Sequence, residues 1–269
     1  MDKETLARLS VQCIQKARFL PIQELILGET GYAFNGKVRL FFEIQRPETK
    51  PKGCVLLISR NANTLLFWSQ QFIQTFVSEG YNVIRFDHRG IGLSDRMEGW
   101  TKKTAYGLED MARDAMAVLD SVKIKSAHIV GASMGGMIAQ RFAYLFPNVT
   151  LSLCSIMSSG YYYDPSLVSL SPKMKRNFRS LFLAFYRAKN NFEKQVQAHI
   201  LERNLWGGCG DYELDIPMII NEVSYEIKFR KGYYKMSFPQ HVKAIKKSGS
   251  FLEKLKEISS KALVIHGDS

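Results

Sequence analysis

The chain has 269 residues, 46% apolar and 23% charged, with 37 Lys and Arg against 25 Asp and Glu for a formal net charge of +12. That length suits one large α/β domain carrying an insertion, and no run reaches the roughly 18 consecutive apolar residues of a membrane span. The basic residues are scattered and accompany no zinc, helix-turn-helix or RNP pattern, so they read as solvated surface and no nucleic-acid partner is expected.

In chain order, MDKETLARLSVQCIQKARFL alternates charge with single apolar residues. It lacks the apolar stretch of a secretory leader and predicts an amphipathic helix over 2–20 that ends before Pro21. Gln23–Phe34 and Lys37–Ile44 predict two strands joined at Asn35-Gly36, a hairpin turn pair. Arg46–Gly53 is a polar, proline-bearing loop. Cys54–Ser59 (CVLLIS) predicts a buried parallel strand, followed by a helix from about Trp68 to Ser78 that stops at Gly80. Tyr81–Phe86 predicts the next strand, Asp87–Asp95 (DHRGIGLSD) a glycine-rich loop, and Leu108–Val122 a helix with Met111, Ala115, Val118 and Leu119 on one face. The four cysteines are far apart, without C-x-x-C spacing, and Cys54 and Cys154 fall in predicted strands. Buried free thiols in a reducing compartment follow, so a cytoplasmic protein is expected.

The chain is organised around Ala127–Ala139 (AHIVGASMGGMIA): an apolar strand, then Gly131-Ala132-Ser133-Met134-Gly135, then a helix. G-x-S-x-G alone is a weak signal, matching by chance in about one chain in ten of this length. Between a strand and a helix it describes a nucleophile elbow, with Ser133 raised on a tight, strained turn. A further strand is predicted at Val149–Met157. Strands alternating with helices imply a mostly parallel, doubly wound sheet. From Ser158 to about Ser250 no buried-strand run appears; Phe, Tyr, Met and basic residues recur at helical spacing, with 15 Lys and Arg against 8 Asp and Glu. This stretch reads as a helical insertion, a cap. Phe251–Ile258 finishes a helix, and Lys261–Ile265 resumes the core-strand pattern. The expected division is thus a core over 1–157, a cap over 158–250 and a return to the core over 251–269.

These landmarks carry a resemblance. CVLLIS with Trp68 downstream, Arg85–Asp95, Gly131–Gly135 and Ala262–Gly267 follow one another as in the α/β-hydrolase superfamily. The chain is similar within it to the capped serine esterases and methylesterase-like members. The resemblance implies an α/β-hydrolase fold: a mostly parallel, doubly wound sheet with a helical cap insertion, here with the last strand and helix missing. It implies a serine hydrolase acting on a small, largely apolar carboxylic ester, with Ser133 as nucleophile. The oxyanion hole falls to the backbone N–H of Met134 and to Arg60 or Asn61, in a loop where Ser59-Arg60-Asn61-Ala62-Asn63 replaces the family's glycine-containing pair. Asp268 is a candidate acid only if its loop shifts by two residues; otherwise acid and histidine are expected beyond residue 269, and the chain reads as truncated. Trp68, Tyr161 and Tyr162 are candidate substrate contacts, with core packing the competing reading for Trp68. His88 is a weak candidate base, His128 and His266 read as structural, and His199 and His241 as cap residues in surface or packing roles. No G-x-G-x-x-G, P-loop or metal-ligand spacing is present, so neither cofactor nor metal is expected. The alternative to an esterase is a catalytically inactive, hydrolase-like remnant or ligand-binding protein; a carboxylate-nucleophile dehalogenase or epoxide hydrolase is disfavoured because Ser133, not Asp, stands at the elbow.

Overall fold

The structure, a computed structural model, describes residues 21–165, 171–189, 191–206 and 214–267. The helix expected over 2–20 and the candidate acid Asp268 lie outside them. Strands β1 (Glu29–Asn35) and β2 (Val38–Gln45) form the expected hairpin, with Asn35 opposite Val38 and Gly36 at φ +58°, a left-handed turn that glycine adopts without strain. The first strand starts later than its sequence suggests. The N–H groups of Leu27 and Gly28 donate instead to Glu43 Oε1, at 2.8 and 2.7 Å.

The remaining strands are β3 (Gly53–Ile58), β4 (Tyr81–Phe86), β5 (Ala127–Ala132), β6 (Thr150–Ile156) and β7 (Lys261–Ile265). Among the described residues all seven strands build one sheet in the order β1-β2-β4-β3-β5-β6-β7, with the five strands from β4 to β7 parallel and β2 antiparallel to β4. Successive side chains of a strand face opposite sides. Leu56 and Ile58 therefore join Ile84, Phe86 and Ile129 beneath helices α2 (Leu108–Ser121) and α3 (Met134–Leu145). Val55, Leu57, Val83 and Val130 face the other way, towards α1 (Gln70–Ser78). The chain thus leaves β3 for one face and β5 for the other, although the two strands are neighbours. The crevice between their C-terminal ends is a topological switch point, where open α/β sheets place their sites.

By internal contacts the described residues divide into two units, one of residues 21–25, 171–189, 191–206 and 214–235, the other of 26–165 and 236–267. The first holds α4 (Pro172–Ala188), α5 (Phe192–Trp206) and α6 (Ile216–Phe229), with Val196 and Ile200 packed on Ile216, Ile219, Ile220 and Val223. The second holds the sheet, α1–α3 and α7 (Ser237–Ser248). Residues 158–165 and 236–250, which the sequence groups with the insertion, therefore fold with the sheet. Gln240 and His241 of α7 are fully buried, and Phe251 N donates to Gly160 O at 3.1 Å. The segment after α7 forms a 3-10 helix over Leu252–Glu257 rather than an α-helix. Among the described residues, no helix is long and apolar enough to cross a membrane.

Candidate active site

The elbow is built by close approach. Ser133 sits at φ +53°, ψ −118°, between the end of β5 and the first turn of α3. A left-handed φ is costly for an L-residue and persists only where the surroundings enforce it. Here three glycines let the backbone close around it. A Cβ on Gly131 would lie 2.1 Å from Gly135 O, one on Gly135 2.1 Å from Ile58 O, and one on Gly136 2.5 Å from Ser158 Cβ. The turn is pinned by Ser133 N donating to Ile156 O at 2.8 Å and by Ser158 Oγ donating to Ser133 O at 2.7 Å. Ser133 remains half-buried, ahead of a helix whose first N–H groups have no intrahelical acceptor. Met134 N–H is one of these, and the helix N-terminus favours developing negative charge.

The loop after β3 faces this turn, because Gly135 rests on the carbonyls of Ile58 and Ser59. Arg60 and Asn61 are half-buried there. Ser59 Oγ donates to Asn63 O at 3.1 Å, Asn63 N to Arg60 O at 3.3 Å, and Asn63 Nδ2 to Asn61 O at 3.1 Å. Ala62 takes φ +55°, the special angle that the sequence leaves without a glycine. What holds the loop comes from two buried histidines. His88 Nε2 donates to Ser59 O at 2.9 Å, while Ala62 N donates to His241 Nδ1 at 3.1 Å and His241 Nε2 to Arg89 O at 2.9 Å. A carbonyl can only accept, so both rings carry their proton on Nε2. Burial lowers the pKa of His88 to about 4, against the opposing pull of the Ser59 carbonyl and Asp87. Burial and then the neighbouring His88 ring lower that of His241 to about 3. Both rings are neutral scaffold, and the Nε2–H of His88 is spent on Ser59 O.

The intervening loop is equally constrained. Asp87 is fully buried and accepts from Leu65 N at 2.9 Å and Leu93 N at 2.8 Å, and Gly92 crosses it at φ +59° where a Cβ would lie 2.2 Å from Oδ2. Arg89 pairs with Asp114 through two bonds of 2.6 and 2.5 Å. This knot fixes the floor beneath the two histidines.

The other expected residues fare differently. Trp68 is 5% exposed, stacked on Phe72 and packed with Val55, Leu57 and Ile73, so its ring belongs to the core and not to an open substrate surface. Tyr161 is half-buried and Tyr162 is exposed, the latter edge-to-face with Tyr163, in the segment that follows β6. His128 meets Ser152 Oγ at 2.7 Å, and His199 lies 3.4 Å from Glu202. The bonds that the described residues make to Ser133 are to its backbone. Among these residues no cluster of three His, Cys, Asp or Glu is arranged to hold a metal. A cleft of about 650 Å³, lined by Gln45, Arg46, Gln74 and Gly80, lies at the N-terminal end of β4, the opposite end of the sheet from the elbow. His241 is the residue that sequence reasoning missed, since only the packing of α7 under the Arg89 loop reveals what it touches.

A family model for the alpha/beta hydrolase fold matches residues 55–268. The chain belongs to the α/β-hydrolase fold family. Two of its curated relatives are methylesterases by name, and others are named as a putative non-heme bromoperoxidase and putative carbamate hydrolases. Rhodomycin D methylesterase DauP of Streptomyces sp. (strain C5) is 28% identical over 58% of this chain and 55% of its own. Rhodomycin D methylesterase DnrP of Streptomyces peucetius is 37% identical over 39% of this chain and 35% of its own. The chain thus matches about half or less of the length of these two relatives. Among solved structures, a hydrolase from Pseudomonas aeruginosa PA01 aligns with a TM-score of 0.61 at 19% identity, over 90% of this chain and 81% of that one. The enol-lactonase from Burkholderia xenovorans LB400 aligns at 0.60 and 19%, over 88% and 81%. At such identity these two establish the shared α/β-hydrolase fold.

Proposed function

We propose that this α/β hydrolase is a serine-dependent carboxylic ester hydrolase with Ser133 as its nucleophile. The observation that carries the reading is the Ser133 turn, held at φ +53° by three glycines whose Cβ positions are occupied. In this reading the Ser133 hydroxyl oxygen adds to the ester carbonyl carbon. The Met134 N–H and an N–H from Arg60 or Asn61 stabilise the oxyanion, the alcohol leaves, and water releases the acid from the acyl-enzyme. Ser133 needs a base to lose its proton at neutral pH, and the reading assigns that base and its acid to residues outside those described. The methylesterase names of two relatives support an ester as substrate, and the reading takes it to be small and largely apolar, with Tyr161 and Tyr162 in the segment after β6 as its contacts.

The test is covalent. A serine-reactive fluorophosphonate should exchange its fluoride for the Ser133 oxygen, adding its mass to the peptide that contains Ser133. Ser133→Ala should lose the label and lower ester turnover by about 10⁴-fold or more. Unlabelled wild-type protein with no turnover on short-chain esters would instead support the second reading, a hydrolase-like binding protein. That reading draws on the lack of a base at Ser133 among the described residues.

A further inference from the structure

Strand β6 ends in a kink, and the kink bears on the elbow. Side chains of a strand alternate between its two faces. Cys154 and Ile156 pack with Val130 and Ala132 on the side of α1, whereas buried Ser155 faces α3, where its Oγ accepts from Gln140 Nε2 at 3.2 Å. Continued alternation would carry Ser158 to the side of Cys154 and Ile156. It lies instead on the side of Ser155. A Cβ on Gly136 of α3 would fall 2.5 Å from Ser158 Cβ and 3.0 Å from Ser155 Oγ. The reversal occurs at Met157, which takes φ +48°. That left-handed angle strains an L-residue, and a methionine that is 56% exposed gains little packing to offset it. Such strain persists only where the surroundings enforce it, and here Met157 N donates to Ile265 O of β7 at 2.8 Å.

The reversal brings Ser158 Oγ within 2.7 Å of Ser133 O, to which it donates. The same carbonyl accepts from Gly136 N at 2.9 Å and Met137 N at 3.2 Å, so of these three donors only Ser158 stands outside α3. Ser133 N donates in turn to Ile156 O at 2.8 Å. Residues 156–158 thus grip the Ser133 backbone at both ends, which fixes its φ and ψ and with them the base from which the hydroxyl projects. We propose that Ser158 is a positioning residue for Ser133, delivered by the left-handed turn at Met157. The inference rests on the reading of Ser133 as nucleophile. Ser158 acts through the Ser133 carbonyl: it holds the attacking oxygen in line, and small misplacements of a reacting atom are costly to turnover.

The experiment compares wild-type, Ser158→Ala, Ser158→Cys and Ser155→Ala proteins. It reads the rate constant and final extent of fluorophosphonate labelling, kcat and KM on p-nitrophenyl acetate, and the urea midpoint. Ser158→Ala should reach the same final labelling about tenfold more slowly, with kcat lowered by a similar factor and KM unchanged, the effect of one lost hydrogen bond. Ser158→Cys keeps the shape with a weaker donor and should fall between, and it carries the same comparison should Ser158→Ala not fold. Ser155→Ala removes the neighbouring hydroxyl that holds Gln140 and should lower the urea midpoint with labelling at the wild-type rate. Labelling and kcat at wild-type values in the Ser158 variants would overturn the inference while leaving Ser133 as nucleophile. A lower final extent at the wild-type rate, or equal slowing in Ser155→Ala, would show a role in folding alone and overturn it as well. If the wild-type protein takes no label and turns over no ester, the nucleophile reading fails and this inference with it.

Discussion

At the scale of single residues, the site depends on where a methyl group cannot go. Gly135 lies against two backbone carbonyls, with a Cβ position 2.1 Å from Ile58 O and 2.6 Å from Ser59 O. Backbone oxygens cannot rotate away as a flexible side chain can, so Gly135→Ala must push α3 off the end of β3 and carry Ser133 with it. We expect a loss of about 1–3 kcal/mol in urea denaturation, together with a fall in kcat larger than any change in KM. A stable variant of unchanged kcat would show that the elbow tolerates the shift. Ala62 is the opposite case. At φ +55° it carries the cost of a left-handed L-residue, which glycine does not, while glycine adds chain entropy to the unfolded state. The first effect is the larger, so Ala62→Gly should stabilise the protein by about 0.5–1 kcal/mol. A lower urea midpoint for that variant would mean that the Ala62 methyl group contributes packing that outweighs the strain.

At the scale of elements, α7 reaches across to hold the loop after β3, through the bond from Ala62 N to His241 Nδ1. His241→Phe fills the same space but removes the acceptor for Ala62 N and the donor to Arg89 O. It should cost about 1–3 kcal/mol and lower kcat of ester hydrolysis, whereas His241→Gln, whose amide both accepts and donates, should recover part of each. If Phe and Gln variants are equally active, the loop does not need this anchor. This contact also marks where the sequence stops being informative. The strands were legible because buried parallel strands are continuous apolar runs, as in CVLLIS, and the elbow because its glycines and serine are spaced by backbone geometry. His241 was not legible, because α7 alone does not say which loop lies above it; nor was Trp68, since an aromatic at the start of a helix fits a pocket or a core equally until its neighbours are known. The edge strand β7 raises a separate expectation. Leu263, Val264 and Ile265 are 58%, 69% and 46% exposed, on a strand paired along one side with β6. An apolar edge templates pairing with another chain. Val264→Lys should therefore reduce concentration-dependent light scattering of this 269-residue chain without changing its circular dichroism, and unchanged scattering would place the self-association elsewhere.

For the whole molecule, the neutral histidine pair ties stability to pH. The folded pKa values of His88 and His241, about 4 and about 3, lie below the ordinary 6.5, with burial the leading cause of each shift. Between those values the unfolded chain binds protons that the folded chain refuses. Stability from this source is therefore complete above about pH 6.5 and declines as pH falls towards 4 and then 3, by up to about 1.4 kcal/mol per pH unit for each ring. Glu109 acts in the same direction but in a lower window. Burial opposes its charge, yet bonds from a backbone N–H, Arg141 and Ser248 outweigh burial and hold its pKa below the usual carboxylate range. Its contribution is present above the ordinary carboxylate pKa and is lost as pH falls through its depressed value. The histidine part is separable because it starts nearer neutrality. The urea midpoint of the wild-type protein should begin to fall just below pH 6.5, and His241→Gln, which cannot titrate, should show a shallower fall between about pH 6 and 5. Equal slopes in the two proteins over that interval would mean that His241 does not govern acid stability, and that the loop beside Ser133 withstands the charge its buried position is expected to exclude.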